Sequence, residues 1–179
     1  MPTPSLPHRA PLALGLLLSG LLMASPALGE TASAAASTAS AAISAPAPDG
    51  CTGPVSATWL KVVVEGVRAA QGLIAITLYA DDSARFLVRH GSLYVGRTKA
   101  VAGTTEGCIY VPGPGVYALA IYHDANANEK FDRTVLGLPD EAYGFSNNPH
   151  TFFGLPSFRS VRLKVEHSGQ STHIRLHYP

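Results

Sequence analysis

The chain has 179 residues, enough for one domain of ordinary size. Its 13 Lys and Arg against 12 Asp and Glu leave a formal charge of +1. That excess is too small to displace the counterions condensed on a nucleic acid or to hold the chain to an anionic membrane surface.

Residues 1–9 carry His8 and Arg9 and no acid, and residues 10–23 are an almost unbroken apolar run of 14 residues. That is short of the roughly 20 residues a transmembrane helix needs. Ala27-Leu28-Gly29 follows with the small-x-small spacing of a cleavage site. The expectation is a signal peptide over 1–29, export to the periplasm or beyond, and no membrane span in the mature chain. Removing 1–29 takes away Arg9 and no acid, so 13 cationic residues become 12 against 12 acids and the mature chain is formally neutral.

Residues 30–50 are Ala, Ser and Thr with Pro46 and Pro48 near the end. They offer little large apolar surface to offset the entropy of ordering, which predicts a flexible linker ahead of a domain at 51–179. Cys51 and Cys108 are an even pair in a chain expected to be exported, and the spacing is not a zinc motif, so a disulfide is predicted. Closing 57 residues of chain restricts the unfolded ensemble by roughly 4 kcal/mol on the chain-entropy account.

From Thr58 on, strand follows strand. Leu60, Val62 and Val64 alternate with polar neighbours up to Gly66; Ile74, Ile76 and Leu78 do the same after Gly72, and the two segments together suggest a hairpin or neighbouring pair. Residues 85–102 hold short apolar pieces broken by Gly91 and Gly96, predicting one or two short strands. Residues 108–111 read as a strand stopped by Pro112-Gly113-Pro114-Gly115, where fixed φ and missing N–H groups forbid a ladder. Residues 116–122 are apolar on both alternating sets, as a central strand covered on both sides requires. Residues 159–166 and 173–178 each alternate once more, with Val161, Leu163, Val165 and then Ile174, Leu176, Tyr178 facing in. About seven short strands without a long amphipathic helix predict an all-β, antiparallel two-sheet sandwich, with a small barrel as the alternative.

The central strand empties into His123-Asp124-Ala125-Asn126-Ala127-Asn128-Glu129-Lys130-Phe131-Asp132. Asp124, Asn126, Asn128 and Asp132 stand at positions 1, 3, 5 and 9 of a calcium-loop register, with the Lys130 carbonyl at position 7. Hard cations want oxygens, and side chains at every second position of a curling loop can converge on one point. Glu129 and Val135 replace the Gly and bidentate Glu of the helical calcium motif, so a compensating carboxylate is sought in Asp140 or Glu141. The expected ligands are Asp124, Asn126, Asn128, Lys130, Asp132 and Glu141, and the expected affinity that of a weak extracellular site, about 10⁻⁴ to 10⁻³ M. The competing reading is a loop whose Asx side chains bond their own backbone without metal.

The block YALAIYHDANANEKFD, followed by GLPDEAYGFSNN, resembles the bacterial secreted family known as domain of unknown function 2141. The matching positions include Tyr117, His123, Asp124, Asn126, Asn128, Lys130, Asp132 and the run 144–148. The family pattern has Gly where this chain has Glu129, and a side chain there opposes the positive φ of a tight left-handed turn. The resemblance implies a secreted β-sandwich of prealbumin-like or immunoglobulin-like kind and no particular activity.

Other groupings carry less. His123, Asp124 and Ser146 are the residue types of a hydrolase triad, but no G-x-S-x-G elbow surrounds Ser146. In Gly144-Phe145-Ser146-Asn147-Asn148 a turn that buries Phe145 is favoured, with Phe145, Asn147 and Asn148 as ligand-binding candidates on the alternative reading. The function expected is a non-enzymatic exported module, calcium-stabilised, binding a protein or glycan at the cell envelope. The alternatives are an envelope-polymer hydrolase using His123, Asp124 and Glu141, or a purely structural accessory domain.

Overall fold

A computed structural model of the protein describes residues 46–152 and 155–179. The predicted leader at 1–29 and most of the predicted linker at 30–50 lie outside the described residues. Among the described residues eight strands and one short helix follow in the order β1 (Thr58–Val67), β2 (Leu73–Ala80), β3 (Tyr94–Lys99), β4 (Gly103–Val111), β5 (Gly115–Asp124), β6 (Tyr143–Phe145), α1 (Phe158–Val161), β7 (Arg162–Val165) and β8 (Gln170–Arg175). They form two sheets, one of three strands in the order β4-β1-β8, the other of five with β3-β2-β5-β6 and β7 also pairing with β5.

The period-two pattern fixes which faces meet. Leu60, Val62 and Val64 of β1 and Ile109 and Val111 of β4 point into the space between the sheets, against Ile74, Ile76 and Leu78 of β2 and Leu119 and Ile121 of β5. Each such side chain taken wholly out of water contributes about 1.5–3 kcal/mol, before conformational entropy is set against it. The all-β sandwich read from the alternation is the fold observed.

Several local expectations give way. β1 and β2 are not neighbours: β1 pairs with β4 and β8, and β2 with β3 and β5. Both strands are apolar on one alternating set, and those sets face each other across the core rather than lying side by side. The register of β1 shifts between Glu65 and Val67, and the chain then crosses to the other sheet. The β1–β8 ladder is parallel, whereas the other ladders between named strands are antiparallel. At 85–102, where one or two short strands were expected, one forms, β3, as that expectation allows. Residues 158–161 form a four-residue helix where the alternation suggested a strand from 159, and the strand begins at Arg162. β8 ends at Arg175, and His177 joins Tyr143 through an isolated bridge.

The five-stranded sheet also has a covered outer face. Tyr79, Ala118 and Phe145 meet Phe86 and Val161 there in a second apolar cluster. This double coverage is why β5 is apolar on both sets. The predicted bridge between Cys51 and Cys108 is present and pins the start of the domain to β4, where Thr52 donates its N–H to the Cys108 carbonyl at 2.9 Å.

Candidate functional site

β5 delivers Asp124 to the end of the sheet with no exposed surface. One carboxylate oxygen accepts the N–H of Asn128 at 3.0 Å and the other that of Glu129 at 2.8 Å. Asn126 Oδ1 accepts the Asn128 N–H at 3.1 Å, and Asn128 Oδ1 that of Lys130 at 2.8 Å. The Nδ2 groups of Asn126 and Asn128 both donate to Asp132 Oδ2, at 2.9 and 2.8 Å. Asp124, Asn126, Asn128 and Asp132 are thus drawn into one curl, with Asx turns and side-chain bonds supplying its closure.

Glu129 takes a φ of 62°, against the expectation that its side chain would resist the left-handed region. Its N–H is held by Asp124 and its carbonyl accepts from Arg97 Nη2 at 3.2 Å, so the surroundings impose the turn that Gly would adopt freely. Ala127, φ 56°, is the second left-handed residue of the loop.

Glu141 arrives from the return arm: its Oε2 accepts the N–H of Asp132 at 3.1 Å. Burial pushes its carboxyl up to about 6, the Asp132 N–H works against that, and the charges of Asp124, Asp132 and Asp140 add to the rise. Among the described residues no three His, Cys, Asp or Glu side chains group so as to hold a metal ion. The curl instead gathers amide, backbone and carboxylate groups together. Each carboxylate oxygen keeps a second lone pair beside the N–H it accepts, and an amide can present its oxygen in place of its NH₂ by rotating its last torsion.

His123 lies on the opposite face of β5 from Asp124. Its Nε2 is 2.8 Å from the Gln71 carbonyl and its Nδ1 3.2 Å from the Tyr178 hydroxyl. A carbonyl can only accept, so Nε2 carries the proton and Nδ1 accepts from Tyr178. Ser146 is fully buried; its Oγ donates to the Val161 carbonyl and accepts the Leu119 N–H at 3.0 Å.

The run 144–148 acts as a clamp. A Cβ at Gly144 would stand 2.7 Å from the Arg175 carbonyl oxygen, so Gly lets β6 pass close to the end of β8. Phe145 is buried on the outer face beside Phe86 and Tyr143. Asn147 donates to the carbonyl of Arg162 at 2.8 Å, while Asn148 donates to that of His173 at 3.0 Å and accepts the Arg175 N–H at 2.7 Å.

One feature escaped the sequence reading. Beyond Asp132 the chain forms a finger in which Thr134 donates its N–H to the Leu138 carbonyl at 2.9 Å and Arg133 bridges to Pro139. Val135 and Leu136 stand at its tip, 104% and 83% exposed. The finger, the segment holding Leu87 and Val88, and Leu155 surround a cleft of about 360 Å³ on the outer face of the five-stranded sheet, floored by Tyr79, Ala120, Tyr122 and Phe145. Phe131 packs edge-on to Tyr122 at 5.3 Å, and the Arg133 guanidinium lies over the Phe131 ring at 5.0 Å. Thus the last residues of the loop 124–132 build one wall of the cleft. Val135, Leu136 and Leu138, apolar residues inside a polar loop, were the signal in the sequence.

A family model described as an uncharacterized protein conserved in bacteria, DUF2141, matches residues 62–174. No curated protein and no solved structure matches the chain.

Proposed function

The chain belongs to the DUF2141 family of uncharacterized proteins conserved in bacteria, and from that premise we propose that it is an exported, non-enzymatic binding module of the cell envelope. Its cleft on the outer sheet face holds part of a protein or glycan partner, and calcium in the loop 124–132 stiffens one wall of that cleft. The observation that carries this reading is the cleft itself: an aromatic floor inside a ring of exposed apolar loop residues, on a rigid double-sheet support. Exposed apolar residues gathered at one place mark contact surfaces rather than ordinary monomer surface.

Export is supported by the apolar run at 10–23 with its small-residue cleavage pattern and by a disulfide of the kind that persists outside the cytoplasm. Among the described residues no helix is long and apolar enough to cross a membrane. Calcium is supported by the gathering of the Asn126 and Asn128 side chains, now donating through their NH₂ groups, around Asp132 and by the charge repulsion felt at Glu141. Asp124, Asn126, Asn128, Asp132, Glu141 and the Lys130 carbonyl would supply the oxygens. The ion would offset the mutual repulsion of the three carboxylates.

Cell fractionation joined to co-sedimentation with isolated envelopes tests the proposal. The mature chain, beginning near Glu30, is expected outside the cytoplasm and in the envelope pellet. Val88→Glu and Leu138→Glu, at exposed rim positions, are expected to release it without unfolding it. Retention of the leader in a cytoplasmic protein, or sedimentation indifferent to both rim variants, would sink the reading.

A further inference from the structure

Resting on the cleft as the binding face, we infer that the group it takes from the partner is an apolar chain bearing an anionic head, such as an acyl chain ending at a carboxylate or phosphate. The lining contains the guanidinium groups of Arg89 and Arg133 and no carboxylate. Its remaining surface is chiefly aromatic and aliphatic, with the Tyr79, Tyr122 and Phe145 rings below and Val88, Leu138 and Leu155 around it. Apolar walls reward removal of a hydrocarbon chain from water, and they also lower the local dielectric around whatever charge the chain carries. Among the described residues neither arginine has an ion-pair partner. The salt bridges of the domain engage Arg97, Arg162 and Arg175 instead.

Arg133 spends one N–H on the Gly137 carbonyl at 2.9 Å and lies over the Phe131 ring. Four of its five donors stay available, and the guanidinium is already positioned at the mouth. Arg89 is exposed on the opposite wall, next to Leu87 and Val88. A cationic head would meet two like charges there. A neutral sugar head would leave both guanidinium groups without a counter-charge.

The test is calorimetric titration of the mature chain with laurate, dodecyltrimethylammonium and dodecyl maltoside, each below its micellar concentration. Laurate is expected to bind at least about tenfold tighter than either of the others, the size of one charge-assisted contact. Arg89→Gln is the decisive variant, because Arg133 also ties down the finger; it is expected to weaken laurate by about tenfold and to leave dodecyl maltoside unchanged. Val88→Glu is expected to weaken all three. Equal binding of the three amphiphiles, or an Arg89→Gln protein as tight as wild type, would overturn the anionic head. No laurate binding, joined to co-sedimentation with vesicles of phosphatidylglycerol, would overturn the single-chain site in favour of a bilayer surface. Failure of laurate while Val88→Glu still releases the protein from envelopes overturns this inference alone and leaves the cleft as the binding face.

Discussion

Asp124 Oδ2 accepts the backbone N–H of Glu129 at 2.8 Å, five residues ahead of it in the chain. Its other oxygen takes the N–H of Asn128 at 3.0 Å. A fully buried carboxylate thus closes the loop that it begins. Asp124→Ala would leave both donors short of an acceptor, at a cost of about 3 kcal/mol. Asp124→Asn keeps one acceptor oxygen and is expected to cost about half as much. Urea denaturation of both variants without calcium checks the ranking, and an alanine cost below that of asparagine would remove Asp124 from this role.

Glu129 occupies the left-handed region at φ 62°. Glu129→Gly relieves that backbone cost, while the larger entropy of an unfolded glycine takes part of the gain away. The ion pair that is lost spans 3.8 Å between a mostly exposed Glu129 and a largely covered Arg97, and at that length it contributes little. The net expectation is a gain of about 0.5–1 kcal/mol, seen as a rise of a few degrees in melting temperature. A lower melting temperature would show that the side chain, and not only the backbone, holds the loop.

How far the sequence could be read follows from what each residue pattern determines. β5 was legible because 116–122 is apolar on both alternating sets, and only a strand covered on two faces needs that. The Asx loop was legible because its polar residues recur at every second position. The pairing of β1 was not: alternation says that Leu60 and Val62 face a core, but not whether Ile74 and Ile76 lie beside them or across from them. Packing between sheets decided it. Residues 159–161 read as strand because Val161 fits a period of two as well as one turn of helix. The cleft as a whole was not legible: Val135, Leu136 and Leu138 mark one wall, but nothing in the alternation brings the segment around Val88, far back in the chain, to face them.

Calcium at ten times a dissociation constant of about 10⁻³ M should stabilise the fold by about 1.4 kcal/mol through mass action. Asp132 accepts from both Asn126 and Asn128, so Asp132→Ala is expected to abolish the shift. Magnesium, which sheds its water reluctantly and demands a tighter octahedron, is expected to give a much smaller one. Thermal melts with each ion at equal ionic strength decide the point; identical shifts for both ions would mean screening rather than a site.

Glu141 gives the calcium-free protein a pH dependence. Its carboxyl is raised from 4.5 to about 6 in the fold, first by burial, so the native state binds this proton more tightly than the unfolded chain does. The resulting stabilisation is present in full below pH 4.5 and is lost as pH rises through about 6. For a partly exposed group, solvent screening reduces the effect to about 1 kcal/mol. Urea midpoints at the two ends of this window, compared between wild type and Glu141→Gln, isolate the contribution. The wild type should lose more stability than the variant as pH rises, and parallel curves would assign the dependence to other carboxylates.

Gly72 provides the most local test of how the site is held in place. It has φ 73°, and a Cβ there would stand 2.0 Å from the Asp124 carbonyl oxygen. The residue before it, Gln71, receives the His123 N–H at 2.8 Å, and Leu73 pairs with Asp124 across the β2–β5 ladder. The end of β5 is therefore seated against backbone that only glycine can bring so close. Gly72→Ala combines a left-handed φ with an overlap that no flexible side chain can yield to, and is expected to cost more than about 3 kcal/mol. Because the overlap falls on Asp124 itself, the same change should loosen the loop before it unfolds the sandwich. Hydrogen exchange is expected to rise first at the Asn128 and Glu129 amides, with the amides of Leu60 and Leu119 keeping their protection. Uniform loss of protection across both sheets would instead make Gly72 a residue of the core, with no particular hold on the loop 124–132.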